Sequence, residues 1–203
     1  MNMTHGEQVR VLEEHGHEGG RGLNWWGMIF FIASEALIFA NLIAAYLYLE
    51  IRSPDSWRLA NVLFPGGNTI ILLLSSVTMH YAALGIRKGK QRQMIIGLIA
   101  TIVLGATFLG GQVYEYTNLF HEGFTITTKT FGSSFFTLTG FHGLHVTIGL
   151  IFLIICLIRA LRGDFTQQKH FAFEAGEMYW HFVDGVWIFV FSTVYLLPFL
   201  LGR

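Results

Sequence analysis

The chain reads as an all-α polytopic membrane protein, a bundle of five transmembrane helices, and three observations predict this. Hydrophobic residues make up 53% of its 203 residues and charged residues only 13%, against about 25% charged in ordinary soluble domains. Five apolar segments follow one another at about 25–49, 68–86, 94–114, 132–158 and 178–201, each near the roughly 20 residues that a spanning helix needs. Lys and Arg are also unevenly shared between the two sides that five spans would define. Net charge is zero, so no basic field invites nucleic acid. The single cysteine, Cys156, lies in an apolar run and excludes both an internal disulfide and a cysteine metal cluster.

Residues 1–24 are polar and glycine-rich without an apolar stretch, and are expected to form a flexible cytoplasmic tail ahead of a transmembrane domain at 25–203. The tail histidines His5, His15 and His17 lack the rigid support that metal binding requires, so the expected role is solvation. Nine basic residues (Arg10, Arg21, Arg87, Lys88, Lys90, Arg92, Arg159, Arg162, Lys169) fall on the amino-terminal side and four (Arg52, Arg58, Lys129, Arg203) on the other. The positive-inside rule then puts the amino terminus inside and the carboxyl terminus outside.

In the first span, Trp25, Trp26, Tyr46 and Tyr48, with Trp57 beyond, have the distribution of interfacial anchors. Glu35 stands near the middle of the same span, with Phe31, Phe39 and Leu42 on its face. No neighbour in that helix neutralises it, so it is expected as a neutral carboxyl able to donate a hydrogen bond. Two roles stay open for it: a functional buried acid, or a structural partner of a neighbouring helix.

Pro65-Gly66-Gly67-Asn68-Thr69 predicts a turn and a polar start to the second span. Within that span Ser76 and His80 are four residues apart, placed to bond to other helices. The short basic stretch Arg87–Arg92 joins antiparallel helices and suits anionic headgroups. In the third span Gly97, Thr101 and Gly105 form a small-residue ridge for close helix approach, and Gln112 and Glu115 continue it. In the fourth, Thr139, His142, His145 and Gly149 share a face. An HxxH pair on a helix can chelate a metal, yet a stable site usually wants three or four ligands, so interhelical hydrogen bonding is the favoured reading.

The head of the fifth span carries Glu174, Glu177, His181 and Asp184 at spacings of three, four and three, a single helical stripe. Ionisable groups in a span turn toward protein or water and pair there. Two readings stand: headgroup-level acids with a structural His181–Asp184 pair, or a proton-accessible cluster.

Four of these stretches carry a family resemblance. HFAFEAGEMYWHFVDGVW, with the aromatic apolar run after it, resembles the last helix of subunit III of the haem-copper oxidases. FFIASEALIF is similar to the segment holding that family's buried, carbodiimide-reactive glutamate, with Glu35 at the matching position. GQVYEYTNLF and GFHGLHVTIG resemble two further family segments; the first contains Gln112 and Glu115, and the second contains His142 and His145, whose counterparts in that family bind neither haem nor copper. The match runs from Trp25 to Tyr195 with the motifs in order, in the five-helix bacterial form, and HFxFEA is closer to cytochrome c oxidases than to quinol oxidases. Glu177 departs from the pattern, where the family more often has an uncharged residue.

The resemblance implies a non-catalytic subunit of a proton-pumping cytochrome c oxidase in the bacterial inner membrane. It implies no cofactor in this chain, haem and copper in partner subunits, and a bound phospholipid for which Arg87, Lys88, Trp180 and His181 are candidate contacts. It further implies packing on subunit I, with subunit II, a small subunit IV and a larger respiratory supercomplex as further candidate partners. His80, Gln112, Glu115, His142 and His145 become structural or subunit-contact groups; Glu35, Glu174, Glu177, His181 and Asp184 become the proton-related ones. Runners-up are a quinol oxidase subunit III, the related nitric oxide reductase subunit, a haem-binding cytochrome using two of His80, His142, His145 and His181, and a proton-coupled transporter using Glu35, Glu115 and Asp184. The transporter reading lacks the internal repeat and interrupted helices that usually accompany alternating access.

Overall fold

The computed structural model describes residues 22–52, 62–168 and 170–200, and of Lys129 only the backbone. The expectations for residues 1–21, including His5, His15 and His17, and for Trp57 therefore lie outside the described residues, as do those for the basic residues Arg10, Arg21, Arg58, Lys169 and Arg203. The described chain is helical throughout, without strands. Helix α1 runs Leu23–Arg52, α2 Leu63–Arg87, α3 Gln91–His121 and α4 Lys129–Arg162. Helix α5 begins as Phe171–Phe191, passes through a π-helical turn at Ser192–Leu196, and ends at Leu197–Leu200. All five are long and apolar enough to cross a membrane.

Each helix outruns its apolar segment, because polar residues at the ends continue the backbone hydrogen bonding that lipid makes obligatory. The difference reaches seven residues at the end of α3 and at the start of α5, whose first turns already contain Glu174 and Glu177. Pro65-Gly66-Gly67 is likewise not a turn but lies inside α2, near its start. Proline is tolerated in a first helical turn, where its missing N–H would have no partner. Asn68 and Thr69 are then spent on packing: Asn68 donates to the Phe108 carbonyl at 2.9 Å, and Thr69 Oγ1 accepts from the Trp187 indole at 2.9 Å.

Helices α2 and α3 make the most extensive contact, α4 and α5 close the bundle around them, and α1 lies against α4 and α5. The predicted ridge on α3 explains the closeness. A Cβ on Gly97 would sit 2.7 Å from the Ala82 Cβ and 2.8 Å from its backbone nitrogen, so the two backbones nearly touch. One turn on, Thr101 Oγ1 lies 2.8 Å from Thr78 Oγ1. A further turn on, Gly105 faces the six-membered ring of Trp180. One ridge therefore serves α2 and α5 together.

Short connections fix the antiparallel order. Three residues, Lys88 to Lys90, join α2 to α3, and Gly163 with φ 79° caps α4. That end is tied further by Gln91 Nε2 to the Ala160 carbonyl at 2.9 Å and Gln167 Nε2 to the Arg87 carbonyl at 3.3 Å. Among the described residues it carries Arg87, Lys88, Lys90, Arg92, Arg159 and Arg162, whereas the opposite end carries Arg52 and Lys129.

Tyr46 does not behave as an interfacial anchor. It is fully buried, its ring 5.6 Å from that of Phe131, because Phe39, Tyr46 and Glu50 share the one face of α1 that meets the bundle. Tyr48 and Trp26 are exposed, as anchors are. Cys156 is buried and packs its thiol toward the Ala172 carbonyl.

Replacing Gly97 by valine forces α2 and α3 apart, and overpacking of this kind costs about 1–3 kcal/mol. Thermal melting in detergent should show Gly97→Val well below the parent. Gly110→Ala, at a site with open space around it, should melt with the parent.

Candidate functional site

Trp180 sets the position of α5. Its ring is enclosed between Gly105 and Gly149, and its indole N–H donates to Ser75 Oγ at 3.0 Å. It is buried in the bundle and so is not placed for the phospholipid contact expected of it. With Trp180 turned inward, the neighbouring stripe of Glu174, Glu177, His181 and Asp184 meets α2 and the amino-terminal end of α1.

The outer part of the stripe opens on a groove of about 970 Å³, lined by Glu174, Glu177, His181 and Phe182 of α5, Arg87 of α2, and Trp25, Ile29 and Ile32 of α1. Arg87 pairs with Glu177 at 3.1 Å, and His170 Nε2 lies 3.1 Å from Glu174. Glu177, the departure from the family pattern, thus arrives with its own cation. Lys88 is exposed beside the groove, and His80 is exposed on α2, close enough to Glu177 and His181 to interact electrostatically with both.

Deeper in the helix, His181 and Asp184 each bond to Ser76 of α2. Ser76 Oγ is 2.9 Å from His181 Nδ1 and donates to Asp184 Oδ2. Asp184 is 3% exposed, and its Oδ1 has no hydrogen-bond partner among the described residues. The expected pairing of His181 with Asp184 is therefore mediated by a hydroxyl. The sequence placed Ser76 on a polar face of α2 but gave no sign of which helix that face would meet.

Glu35 finds its partner on α4. Its Oε2 is 3.0 Å from His145 Nε2, while His145 Nδ1 is 2.8 Å from the Phe141 carbonyl. A carbonyl only accepts, so Nδ1 carries a hydrogen. The other nitrogen then either accepts from a carboxylic acid or, as imidazolium, donates to a carboxylate. Both arrangements hold the same protons and sum to zero charge, which is how a glutamate can sit in an apolar span.

His142, one turn earlier, departs from the expected role as interhelical glue. It is fully buried, its ring centroid 4.7 Å from that of Trp187, and neither ring nitrogen has a hydrogen-bond partner among the described residues. Toward the opposite end, Gln112 donates to the Thr139 carbonyl at 2.8 Å and Tyr116 lies 2.6 Å from Thr139 Oγ1. Glu115, half-buried, accepts from the Tyr195 hydroxyl at 2.9 Å. The π-helical turn brings Tyr195 inward, and no periodicity in the sequence announced it.

The described residues contain no group of three or more His, Cys, Asp or Glu side chains arranged to hold a metal ion. The site's chemistry is that of acids and imidazoles held by a hydroxyl, by one another and, at the mouth of the groove, by a guanidinium.

The Glu35–His145 arrangement makes a prediction. Glu35→Gln keeps a donor for His145 Nε2 and should cost under about 1 kcal/mol. His145→Leu leaves a partly buried carboxyl without its partner and should cost more, about 1–3 kcal/mol. Unfolding in mixed micelles with rising sodium dodecyl sulfate fraction would rank the two.

A family model described as cytochrome c oxidase subunit III matches residues 7–198. The chain is 42% identical over 190 residues to cytochrome c oxidase subunit 3 of Synechocystis sp., covering 91% of this chain and 80% of that protein. It is 39% identical over 198 residues to the Thermostichus vulcanus subunit 3, with 96% of each covered. With the Drosophila melanogaster subunit 3 it shares 41% identity over 180 residues, covering 84% of this chain and 68% of that one. Five membrane-length helices, a paired glutamate within the first and an acidic stripe at the head of the last thus belong to a chain that is a member of the cytochrome c oxidase subunit III family.

Proposed function

We propose that the chain is the non-catalytic subunit III of a proton-pumping cytochrome c oxidase in a bacterial inner membrane, where it packs on subunit I, binds phospholipid and supports proton uptake from the inner side. Haem and copper reside in the partner subunits. Subunit II, a small subunit IV and a larger respiratory supercomplex are further partners on this reading. The amino terminus, with residues 1–24 as its tail, and the basic end of the bundle face the cytoplasm, which the excess of Arg and Lys at that end supports.

The single observation that carries the proton-uptake part is the continuity of the acidic stripe. Glu174 and Glu177 line an open groove at the basic end, His181 lines its inner wall, and Asp184 lies buried one turn farther along. Surface acids collect protons where they are scarce, and an imidazole is suited to pass them on. Phospholipid binding is supported by the same groove, whose Arg87 at the mouth and apolar Ile29, Ile32 and Phe182 walls suit a phosphate headgroup with its acyl chains.

The haem-binding alternative draws less support. His145 is held by Glu35 and Phe141, His181 by Ser76, and His142 and His145 sit a turn apart on one helix.

Two measurements test the reading. The tagged chain, purified in mild detergent, should bring down a large haem-bearing partner, and its visible colour should leave with that partner on stripping; haem retained by the isolated chain would overturn the assignment. Glu174→Ala combined with Glu177→Ala should slow oxidase turnover at high pH, where protons are scarce, with haem content unchanged. Unchanged rates across pH would remove the proton-collecting role and leave membership of the complex intact.

A further inference from the structure

The Ser76 hydroxyl touches His181 Nδ1 and Asp184 Oδ2 together, and one hydroxyl proton cannot serve both contacts. Two arrangements satisfy the trio. With Asp184 ionised, Ser76 donates to the carboxylate and accepts from His181 Nδ1–H. With Asp184 protonated, the carboxylic acid donates to Ser76 Oγ, and Ser76 donates to a bare His181 Nδ1. Passing from the first to the second moves one proton from nitrogen to the serine oxygen and the serine's own proton to the carboxylate, and leaves no charge on serine.

We propose that Ser76 is a relay residue that passes protons between His181, at the wall of the groove, and the buried carboxyl of Asp184. A proton from the groove binds His181 Nε2 and makes the imidazolium. Nδ1 releases its proton to Ser76 as Ser76 releases its own to Asp184. The products are neutral His181, protonated on Nε2, and neutral Asp184; charge and atoms balance. A turn of the ring, or return of the proton, resets the trio.

The surroundings favour this use over a purely structural bond. A bond that served packing alone would leave the carboxylate satisfied, yet Asp184 is 3% exposed with Oδ1 unpartnered among the described residues. A buried carboxylate in that state is costly, and gaining a proton removes the cost. Asp184 lies ten residues beyond Glu174, about 15 Å along the helix axis, so its exchange with water needs a carrier, and His181 is the side chain that reaches both the groove and Ser76. The charged and titratable groups on the trio's side are His80 and Arg87 of α2 and Glu174 and Glu177 of α5, with His80 close enough to act on His181; Glu35 of α1 and His145 of α4 bond to each other instead, and His142 of α4 packs against Trp187. Arg87 is already paired with Glu177 and Glu174 with His170, so the exposed His80 is the titratable group that acts most directly on His181.

The relay deepens the proton-uptake reading, and its test is separate from turnover. In the purified complex carrying the full chain, infrared difference spectra after a downward pH jump should show a protonated-carboxyl band that Asp184→Asn abolishes. Ser76→Ala, which removes one oxygen from a helix face, should slow the appearance of that band on the order of 100-fold. Ser76→Thr, which keeps the hydroxyl, should restore it. An Asp184 band that rises as fast in Ser76→Ala as in the parent would overturn the relay, and so would a difference spectrum that Asp184→Asn leaves unchanged. If the band behaves as expected while oxidase turnover ignores both Ser76→Ala and loss of the groove acids, the relay stands and the uptake role fails.

Discussion

The seating of Trp180 is the contact on which the rest of the molecule depends. A fully buried indole between two glycines on two different helices cannot shift by one residue without driving its ring into a backbone. Its N–H, bonded to Ser75, fixes the depth of α5 against α2 as well as its rotation. Everything chemical follows from that register. The next residue, His181, and the one a turn beyond, Asp184, meet Ser76, the next residue along α2. The ridge of Gly97, Thr101 and Gly105 is the other half of this constraint, since only a ridge so small lets α2 approach and still leaves Trp180 its place.

Inside this frame three acids within the spans, Asp184 buried and Glu35 and Glu115 partly so, are handled alike. Glu35 is matched with an imidazole, Asp184 with a hydroxyl, and Glu115 with a phenol. None of the three partners is Lys or Arg. A permanent cation would need a permanent anion opposite it, and the pair would pay the desolvation of both charges. An imidazole, hydroxyl or phenol instead leaves the acid free to be neutral. The fixed-charge pairs Arg87–Glu177 and Arg159–Asp164 are kept at the end of the bundle, where about half of each arginine side chain is solvated.

The order and number of helices were legible because lipid leaves the backbone a single solution, and five apolar runs of spanning length announce it. The ridge on α3 was legible for the same kind of reason, since small residues at four-residue intervals have one common use. Helix ends were not, because polar turns such as the one containing Glu174 extend a helix without adding hydropathy. Pro65 was misread for a related cause: proline with two glycines signals a turn in isolation, and only the Val62 carbonyl accepting from Gly66 at 3.0 Å shows the helix already under way. The acidic stripe was visible from spacing alone, but its partners were not. Which helix Ser76, His145 or Tyr195 faces is a property of three-dimensional packing. Tyr46 shows the limit most plainly, since an aromatic near the end of a span has the same sequence signature whether it points to a headgroup or to the core.

The three acid sites are also separate from one another, and this bears on what the chain can do with a proton. Ser76 joins His181 to Asp184, Glu35 closes on His145 and the Phe141 carbonyl, and Glu115 closes on Tyr195, each through its own set of bonds. The Ser76 trio is the one with a member on the groove at the basic end. A proton entering there reaches Asp184 and meets no further bonded carrier among the described residues. Such a branch can fill, hold and return a proton on one side of the membrane, which suits a subunit that supplies a neighbour's entry point. A transporter would need the branch to continue to the Glu115 end, and the separation of the three sites argues against that.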